Sequence, residues 1–223
     1  IFLFIPRWDN QEHKKIINEN GGLGLIWKNK FFISVVPLAF INYGGIQAIQ
    51  TLWAGPWMLN VSGYTPLQSA TGLFWINITM LIAYFVWGYI LPKITDYGIS
   101  SIKLIKIGLP VSYLVFFLII FFGKNAGTSM FALYILTSIV ISLTQPAVAL
   151  NFPKALAGKS LTSLNVFLFS GTFFMQWGIG LIIDFCISKN FDILTSYRIS
   201  FFVFLILCIL SYLFFIYYNK NEN

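Results

Sequence analysis

Long runs of apolar residues, separated by short polar connections, dominate the chain. Six of them reach about 20 residues, the length that an α-helix needs to cross the roughly 30 Å hydrocarbon core of a bilayer. Each run is expected to be helical, because lipid offers no partner to backbone polar groups. The pattern predicts an all-α polytopic membrane protein whose six-transmembrane-helix bundle covers residues 31–218. The predicted spans are residues 31–53, 67–91, 104–123, 128–150, 164–188 and 199–218.

The connections between the runs alternate in charge. The first connection (residues 6–30), the connection after the second run, the one before the fifth run and the C-terminal tail (residues 219–223) hold 11 of the 14 Lys and Arg residues. Connections on the opposite side hold only Lys124, Lys189 and Arg198. Because cytoplasmic loops of membrane proteins are enriched in Lys and Arg, the first connection and the C-terminus are predicted to be cytoplasmic.

The composition supports this class and excludes others. Hydrophobic residues make up 58% of the chain and charged residues only 9%, with a mean hydropathy of +0.80. Soluble domains carry about 25% charged residues. The net charge of +7 does not indicate nucleic-acid binding, because the basic residues flank the apolar runs. Cys186, Cys208 and His13 have no metal-ligand spacing, so no metal or cofactor site is predicted.

The first run ends in the sequence QTLWAGPWMLN. Pro56 follows Gly55, and a helix usually stops at such a pair because proline supplies no backbone N–H. Trp53 and Trp57 would then lie at the outer headgroup level as interface anchors. The alternative is that Gly55 and Pro56 act as a hinge of an outer gate. Thr65 and Pro66 should begin the second span as a cap followed by a first-turn proline.

A weak internal repeat appears when the chain is shifted by 97 residues. The pattern P-x-x-L-x5-T-x-L begins at Pro56 and again at Pro153, and each copy leads into a new span. The shift moves the first span onto the fourth, so that one copy lies outside and the other inside. This is the behaviour of two inverted three-helix repeats, a plan common in secondary transporters.

Four segments, QTLWAGPWMLNVSG, FPKALAGKSLTSLN, SGTFFMQWGIGLIID and SYRISFF, resemble in order and spacing the C-terminal half of bacterial major facilitator superfamily transporters. The resemblance implies that residues 1–30 are the end of a preceding span plus the central cytoplasmic loop. It also implies a missing N-terminal six-helix half of the same chain and a bacterial cytoplasmic (inner) membrane. The opening IFLFIP, without a starting methionine, likewise predicts that the sequence is a fragment.

The stretch GYILPKITDYGISSIK only partly matches the gating motif that this family often carries between the second and third helices of each half. Asp96 and Gly98 are present, but the spacing differs and no arginine follows. Because they match the motif in part, Asp96 and Gly98 are predicted to take part in gating. The difference in spacing and the missing arginine weaken that prediction but not the resemblance to the family.

Polar side chains recur at helical spacing within the first and fourth runs. Such side chains are costly in lipid unless they pair or face water. Because the resemblance implies that these two helices line a central cavity, we predict a solute path along them. The alternative for each residue is a polar contact between packed helices. The predicted path comprises Asn42, Tyr43, Gln47 and Gln50 of the first run, Asn77 of the second, Tyr134, Ser138 and Gln145 of the fourth, and Asn165 and Gln176 of the fifth.

Other residues within the runs have both structural and functional interpretations. Pro110 and Pro146 should bend their helices and are also candidate gate hinges. Gly171, Gly178 and Gly180 are expected to allow close packing of the fifth span. The carboxylate of Asp184 could couple transport to a proton, or could simply reach the interface and pair with Lys189 or Arg198.

The sequence predicts a non-enzymatic secondary transporter, gradient-driven or facilitative, that moves a small organic solute by alternating access. Its expected partners are the lipid bilayer, the missing half and the solute; coupling to a co-transported ion and uniport are both open alternatives. No nucleotide-binding loop is present, so the energy would come from a gradient. Uncharged amides, hydroxyls and aromatic rings favour a modest polar organic solute or an amphiphile, and the lack of a mid-membrane Arg or Lys argues against a strongly anionic one. One alternative is a channel-like or non-transporting six-span protein. A membrane-embedded lipid or prenyl transferase is the less favoured alternative, because its chemistry needs acidic clusters or histidines and the chain has only 7 acidic residues and one histidine.

Overall fold

The computed structural model describes residues 22–220, and every regular element in that range is a helix. A short helix, Gly22–Lys28, precedes six long ones, which we number spans 1 to 6. Residues 1–21 and 221–223 lie outside the described range, and with them most of the predicted first connection and tail. The bounds of the six spans are Lys30–Asn60, Pro66–Asp96, Ser101–Asn125, Thr128–Asn151, Lys154–Ser188 and Ile193–Tyr218.

All six spans are long and apolar enough to cross a bilayer. They contain 24 to 35 residues, or roughly 36–52 Å at about 1.5 Å per residue, against a hydrocarbon core of about 30 Å. The helices therefore extend beyond the apolar runs that predicted them. The prediction of an all-α polytopic protein with six spans is confirmed.

Polar side chains fix where several spans begin. Thr65 and Gln68 form a reciprocal cap: the Gln68 N–H donates to Thr65 Oγ1 (3.2 Å), and the Thr65 N–H donates to Gln68 Oε1 (2.9 Å). Asp192 caps span 6, where Thr195 donates from its hydroxyl and its backbone N–H. These two hydrogen bonds lower the pKa of the Asp192 carboxyl. Each cap satisfies N–H groups that a helix start leaves unpaired.

Spans 1 and 4 depart from regular α-helix, and they do so in opposite directions. Span 1 contains two wide π-helical segments, Ala39–Tyr43 and Ile49–Trp53, on either side of one short α-helical stretch, Gly44–Ala48. Span 4 contains a tighter 3₁₀ segment, Ile139–Leu143. Such segments rotate the residues beyond them relative to regular α-helix. Side-chain faces in these two spans therefore cannot be read from a simple i, i+4 pattern.

The packing pairs the two halves of the bundle in a symmetric way. Span 1 packs against spans 5 and 6, and span 4 packs against spans 2 and 3. The first helix of each predicted three-helix repeat thus lies on the second and third helices of the other repeat. The repeated sequence pattern itself has no matching local structure, because Thr65 caps span 2 whereas Thr162 lies within span 5 and donates to the Gly158 carbonyl.

Span 1 and span 5 cross in close contact at two glycines. A Cβ atom at Gly171 would overlap the Phe40 carbonyl, and one at Gly44 would overlap the backbone of span 5. A Cβ atom at Gly180 would lie 3.1 Å from the Trp53 ring. The packing role expected of Gly178 is wrong, because a Cβ there would meet nothing within 4 Å.

Spans 3 and 6 cap each other with cations. Lys106 of span 3 donates through Nζ to the carbonyl of Asn219, directly after span 6 (2.8 Å). Arg198 of span 6 donates to the carbonyls of Ile120 and Phe121 at the end of span 3, both at 2.8 Å. The last carbonyls of a helix lack intrahelical partners and carry the negative end of its dipole. Each helix therefore stabilises the open end of the other.

An aromatic cluster fills the bundle interior near the end of span 1. The Trp57 ring stacks on Phe201 with 4.8 Å between centroids, and its Nε1 donates to the Ala126 carbonyl (3.1 Å). Because Trp57 is fully buried, its predicted role as an interface anchor is wrong. Trp53 is half-buried and meets Tyr197 edge to face at 6.2 Å.

The predicted helix stop at Gly55 and Pro56 is also wrong. The α-helical segment Ala54–Asn60 runs through both residues. Pro56 is the third residue of this segment, which directly follows a π-helical segment, and a proline is tolerated in the first turn of an α-helical stretch. Pro37 and Pro92 likewise lie inside helices, so prolines within the spans are more numerous than the two that the sequence singled out.

Candidate functional site

Polar side chains form a hydrogen-bonded seam on the side of span 1 that faces spans 2 and 5. Two interhelical hydrogen bonds hold it, one to each neighbouring span. The two π-helical segments of span 1 place several of its members, and such segments are frequent at functional sites. We call this group the open seam. Its members are Tyr43, Gln47, Gln50 and Thr51 of span 1, Asn77 of span 2 and Gln176 of span 5.

The bond toward span 2 joins two amides. Gln50 Nε2 donates to Asn77 Oδ1 at 2.8 Å, and Asn77 Nδ2 donates to the Leu73 carbonyl one turn earlier at 2.8 Å. Asn77 is exposed, whereas only 6% of the Gln50 surface is exposed. The pair therefore connects the bundle interior to its open side.

The bond toward span 5 is made by a hydroxyl. Gln176 Nε2 donates to Thr51 Oγ1 (2.9 Å), and the Thr51 hydroxyl donates to the Gln47 carbonyl (2.6 Å). Gln176 also accepts through its backbone carbonyl from Trp53 Nε1 (3.1 Å). Two contacts to one residue thus fasten span 5 to span 1.

A small cavity borders the open seam, between spans 1, 2 and 4. Tyr43, Gln47 and Tyr84 contribute its polar groups, and Met80 with three isoleucines of span 4 completes the wall. Its volume of about 10 Å³ is close to the least that holds one water molecule. The bundle in this form leaves no room for an organic solute at that point.

A larger, open depression of about 610 Å³ lies where span 2 begins, beside Tyr64 and Trp75. Three of its polar side chains already have partners. Gln68 belongs to the cap of span 2, the Thr71 hydroxyl donates to the Leu67 carbonyl and the Thr128 hydroxyl to the Met58 sulfur. Its lining shares no residue with the open seam.

Asn42 does not belong with its predicted neighbours. Its Nδ2 donates to Ser211 Oγ (3.0 Å) and to the Leu38 carbonyl (3.0 Å), and its Oδ1 accepts from the Tyr113 hydroxyl (2.8 Å). Only 3% of the residue is exposed. We call Asn42, Tyr113 and Ser211 the closed network. It joins spans 1, 3 and 6, so the structure assigns Asn42 to helix packing and not to a solute path.

The predicted polar face of span 4 also fails to form. Tyr134 and Ser138 are buried in the bundle, and the Tyr134 ring packs on Phe116 of span 3 with 4.7 Å between centroids. The 3₁₀ segment that follows turns the helix by about 20° more per residue than an α-helix does. Gln145, half-buried beyond that segment, is therefore displaced from the face of the other two.

The remaining predicted residues lie apart from the open seam. Asn165 is exposed on span 5 and makes no hydrogen bond within the described part of the chain. Pro110 is exposed within a continuous α-helix, and Pro146 follows the 3₁₀ segment of span 4 closely. Asp96 ends span 2, and Gly98 lies in the next turn with φ of +81°. Their predicted gating roles stay predictions.

Asp184 is exposed near the end of span 5. The proposed pairing partners are engaged elsewhere: Arg198 binds the carbonyls of span 3, and Lys189 lies 5.7 Å from the Phe185 ring centre. Pairing of Asp184 with either cation is therefore not the arrangement found. Its suggested role in proton coupling stays a prediction.

Sequence reasoning missed several residues that the structure brings into use. Thr51 lies one turn after Gln47 and Tyr84 lies seven residues after Asn77, so helical spacing could have found both. In the sequence analysis Lys106 counted only toward the charge of its connection, and Arg198 counted toward topology and as a partner for Asp184. Their capping roles depend on contacts between residues 113 and 77–78 positions apart, which no local pattern reveals.

The described residues form a bundle of six apolar helices in a multi-pass membrane protein, and the fold of this bundle is similar to that of part of a transporter of known structure. The bundle is similar to the crystal structure of a bacterial homologue of the human lysosomal transporter Spinster, solved in an inward-facing and unoccupied conformation, with a TM-score of 0.57 and 12% sequence identity. The similarity covers 94% of this chain and 50% of that one, so the chain spans about half the length of the protein it matches. No protein-family model and no curated protein matches the sequence.

Proposed function

We propose that this chain is the C-terminal six-helix half of a bacterial major facilitator transporter, and that the open seam is part of its solute path. The observation that carries the proposal is the seam itself. Amides and hydroxyls from three spans meet on the open side of a membrane bundle, where unpaired polar groups would be costly in lipid. The match to half of a transporter structure supports the same conclusion.

The partner of this face would be a second six-helix bundle, supplied by the missing N-terminal half. Spans 2 and 5 are the least buried of the six, and both border the open seam. Asn77 and Asn165 are exposed on them, so protein or water is a better neighbour for these faces than lipid. Rocking of the two bundles around the seam would give alternating access, driven by the gradient of the solute or of a co-transported ion.

The expected solute is small, organic and uncharged. In residues 22–220 the charged side chains lie near the ends of the spans, and the open seam contains only amides and hydroxyls. Such groups orient a solute through hydrogen bonds without a balancing charge. The location would be the bacterial inner membrane, with the connection before span 1 and the C-terminus in the cytoplasm, as the distribution of Lys and Arg favours.

Uptake into proteoliposomes tests the proposal. The full-length protein is reconstituted and exposed to a uniformly ¹³C-labelled bacterial metabolite extract, and the trapped solutes are identified by mass spectrometry. We expect at least one neutral solute to accumulate above protein-free liposomes. Gln47→Ala and Tyr43→Phe should lower its uptake, and Thr79→Val, whose hydroxyl bonds only within span 2, should not. If no solute accumulates, or if Gln47→Ala and Tyr43→Phe leave uptake unchanged in well-folded protein, the assignment is overturned.

A further inference from the structure

One polar atom of the open seam is buried without a partner. Gln50 Oε1 is shielded from solvent and accepts no hydrogen bond among the described residues. The nitrogen of the same amide is occupied by Asn77 Oδ1. Buried amide oxygens are nearly always paired, because an unpaired one loses its hydrogen bonds to water and gains nothing in return. The Gln50 oxygen therefore calls for a specific explanation.

The surroundings of Gln50 show how a donor could reach this oxygen. Its sequence neighbour Thr51 and its partner Asn77 are both exposed on the open side. The Gln50 amide lies directly behind Asn77, to which it is hydrogen-bonded, so only this one residue lies between the amide and the open side. Asn42 provides the contrast, since both its oxygen and its nitrogen are occupied by residues of the bundle.

We propose that Gln50 Oε1 accepts a hydrogen bond from the transported solute, so that the site selects neutral solutes with an O–H or N–H donor. An amide oxygen can only accept, and the hydrogen bond from Gln50 Nε2 to Asn77 holds the amide in the orientation that keeps this oxygen available to a solute. Asn77 is then a positioning residue. This inference rests on the proposed transport function and adds a specificity-determining residue to it.

Discrimination follows from the same geometry. A buried acceptor pairs with a solute that carries the donor, but is left unpaired by an analogue in which a methyl group or a hydrogen atom replaces that donor. The parent solute should therefore be preferred over such an analogue by about tenfold or more. Removal of the Gln50 oxygen should abolish the preference.

The test uses the same proteoliposomes and ¹³C-labelled extract, with Gln50→Met as the variant of similar length and Thr79→Val as the control. We expect Gln50→Met to take up the solute about tenfold more slowly or worse, and to treat the solute and its donor-free analogue alike. Asn77→Leu should raise the half-saturating concentration while it leaves the maximal rate largely unchanged. A purely structural role would instead reduce the amount of folded protein and with it the maximal rate.

The outcomes separate the two proposals. If the wild-type protein accumulates no solute, the transport function fails. If a solute accumulates but lacks an O–H or N–H group, or if folded Gln50→Met transports it as well as the wild type does, then transport stands and the role of Gln50 is overturned. Should Gln50→Met fail to fold, the wild type decides alone, because equal uptake of the solute and its donor-free analogue contradicts the inference.

Discussion

Span 1 carries two polar clusters on different sides, and they are built from similar side chains but differ in how completely these are hydrogen-bonded. On the side of spans 3 and 6, the closed network uses both ends of the Asn42 amide and buries Asn42 and Ser211. On the side of spans 2 and 5, the open seam leaves the Gln50 oxygen unpaired and exposes Thr51 and Asn77. Both clusters lie within membrane-spanning helices, where an unpaired polar group is costly. Complete pairing marks a packing element, and incomplete pairing at an open face marks a candidate binding site.

The largest loss of stability is expected from a change at the crossing of span 1, which carries both clusters, with span 5. Gly171→Val would drive methyl groups into the backbone near Phe40, which should cost about 3 kcal/mol or more and disrupt both clusters together. The measurement is the yield of monodisperse protein in mild detergent. Gly178→Val is the matched control, because its added atoms meet open space; equal losses for the two variants would contradict the crossing.

The next effect concerns the closed network. Asn42→Leu leaves the hydroxyls of Tyr113 and Ser211 without their amide partner, which should lower stability by about 1–3 kcal/mol. A thermal melt followed by tryptophan fluorescence reports it. Asn165→Leu removes an exposed amide that makes no hydrogen bond and should change the melting temperature little. A larger shift for Asn165→Leu than for Asn42→Leu would reverse the contrast.

A change at Arg198 tests whether the cap at the end of span 3 also stabilises the side of the bundle formed by spans 3 and 6. Arg198→Met removes two hydrogen bonds to the carbonyls that end span 3, at an expected cost of about 1–2 kcal/mol. Hydrogen exchange should rise at the last turn of span 3 and stay unchanged around Gln50. Uniform exchange along both sides of the bundle would argue against a local cap.

On the open side, one bond should be weak enough to open. The hydrogen bond from Gln176 to Thr51 is expected to contribute about 0.6 kcal/mol, as polar contacts between membrane helices commonly do. A double-mutant cycle of Thr51→Val and Gln176→Leu, measured by unfolding in detergent, gives the coupling energy. A coupling as large as the effect of Asn42→Leu would remove the distinction between the two clusters.

The smallest effect is a response to pH that neither cluster should share, since amides do not titrate. The pKa of Asp192 is lowered by the hydrogen bonds from Thr195. A carboxyl with a lower pKa in the folded state stabilises the fold above its unfolded pKa, about 4, and loses that contribution as the pH falls through the folded value. Asp192→Asn should flatten the pH dependence of the melting temperature below about pH 4, and an unchanged profile would exclude this cap as its source.

The six-helix bundle could be predicted from the sequence because the length of each apolar run determines whether it forms a membrane-spanning helix. Apolar runs of membrane-spanning length leave a chain no other regular structure, and Thr65 with Pro66 starts span 2 as predicted. Pro56 misled the prediction because a π-helical segment precedes it, and single residues do not reveal where a helix widens. Trp57 misled it because tryptophan suits both a headgroup region and an aromatic core.

The candidate site could be predicted only in part for the same reason. Spacing along span 1 correctly brought Tyr43 and Gln47 together, since they lie one turn apart and are hydrogen-bonded. Asn42 was assigned to that face although it turns toward spans 3 and 6. In span 4 the 3₁₀ segment separates Gln145 from Tyr134, so a face drawn with α-helical geometry could not survive. Contacts between distant spans, such as Gln50 with Asn77, depend on how whole helices pack.

The mutual caps of spans 3 and 6 also bear on the order in which the chain is made. Span 3 leaves the ribosome with its final carbonyls uncovered, and the arginine that covers them follows 77–78 residues later. The lysine that closes span 6 is already in the membrane, 113 residues upstream of its acceptor. A chain that stops short of its last helix therefore leaves the final carbonyls of span 3 without the arginine that caps them, so the end of span 3 is completed only when the last helix has been made.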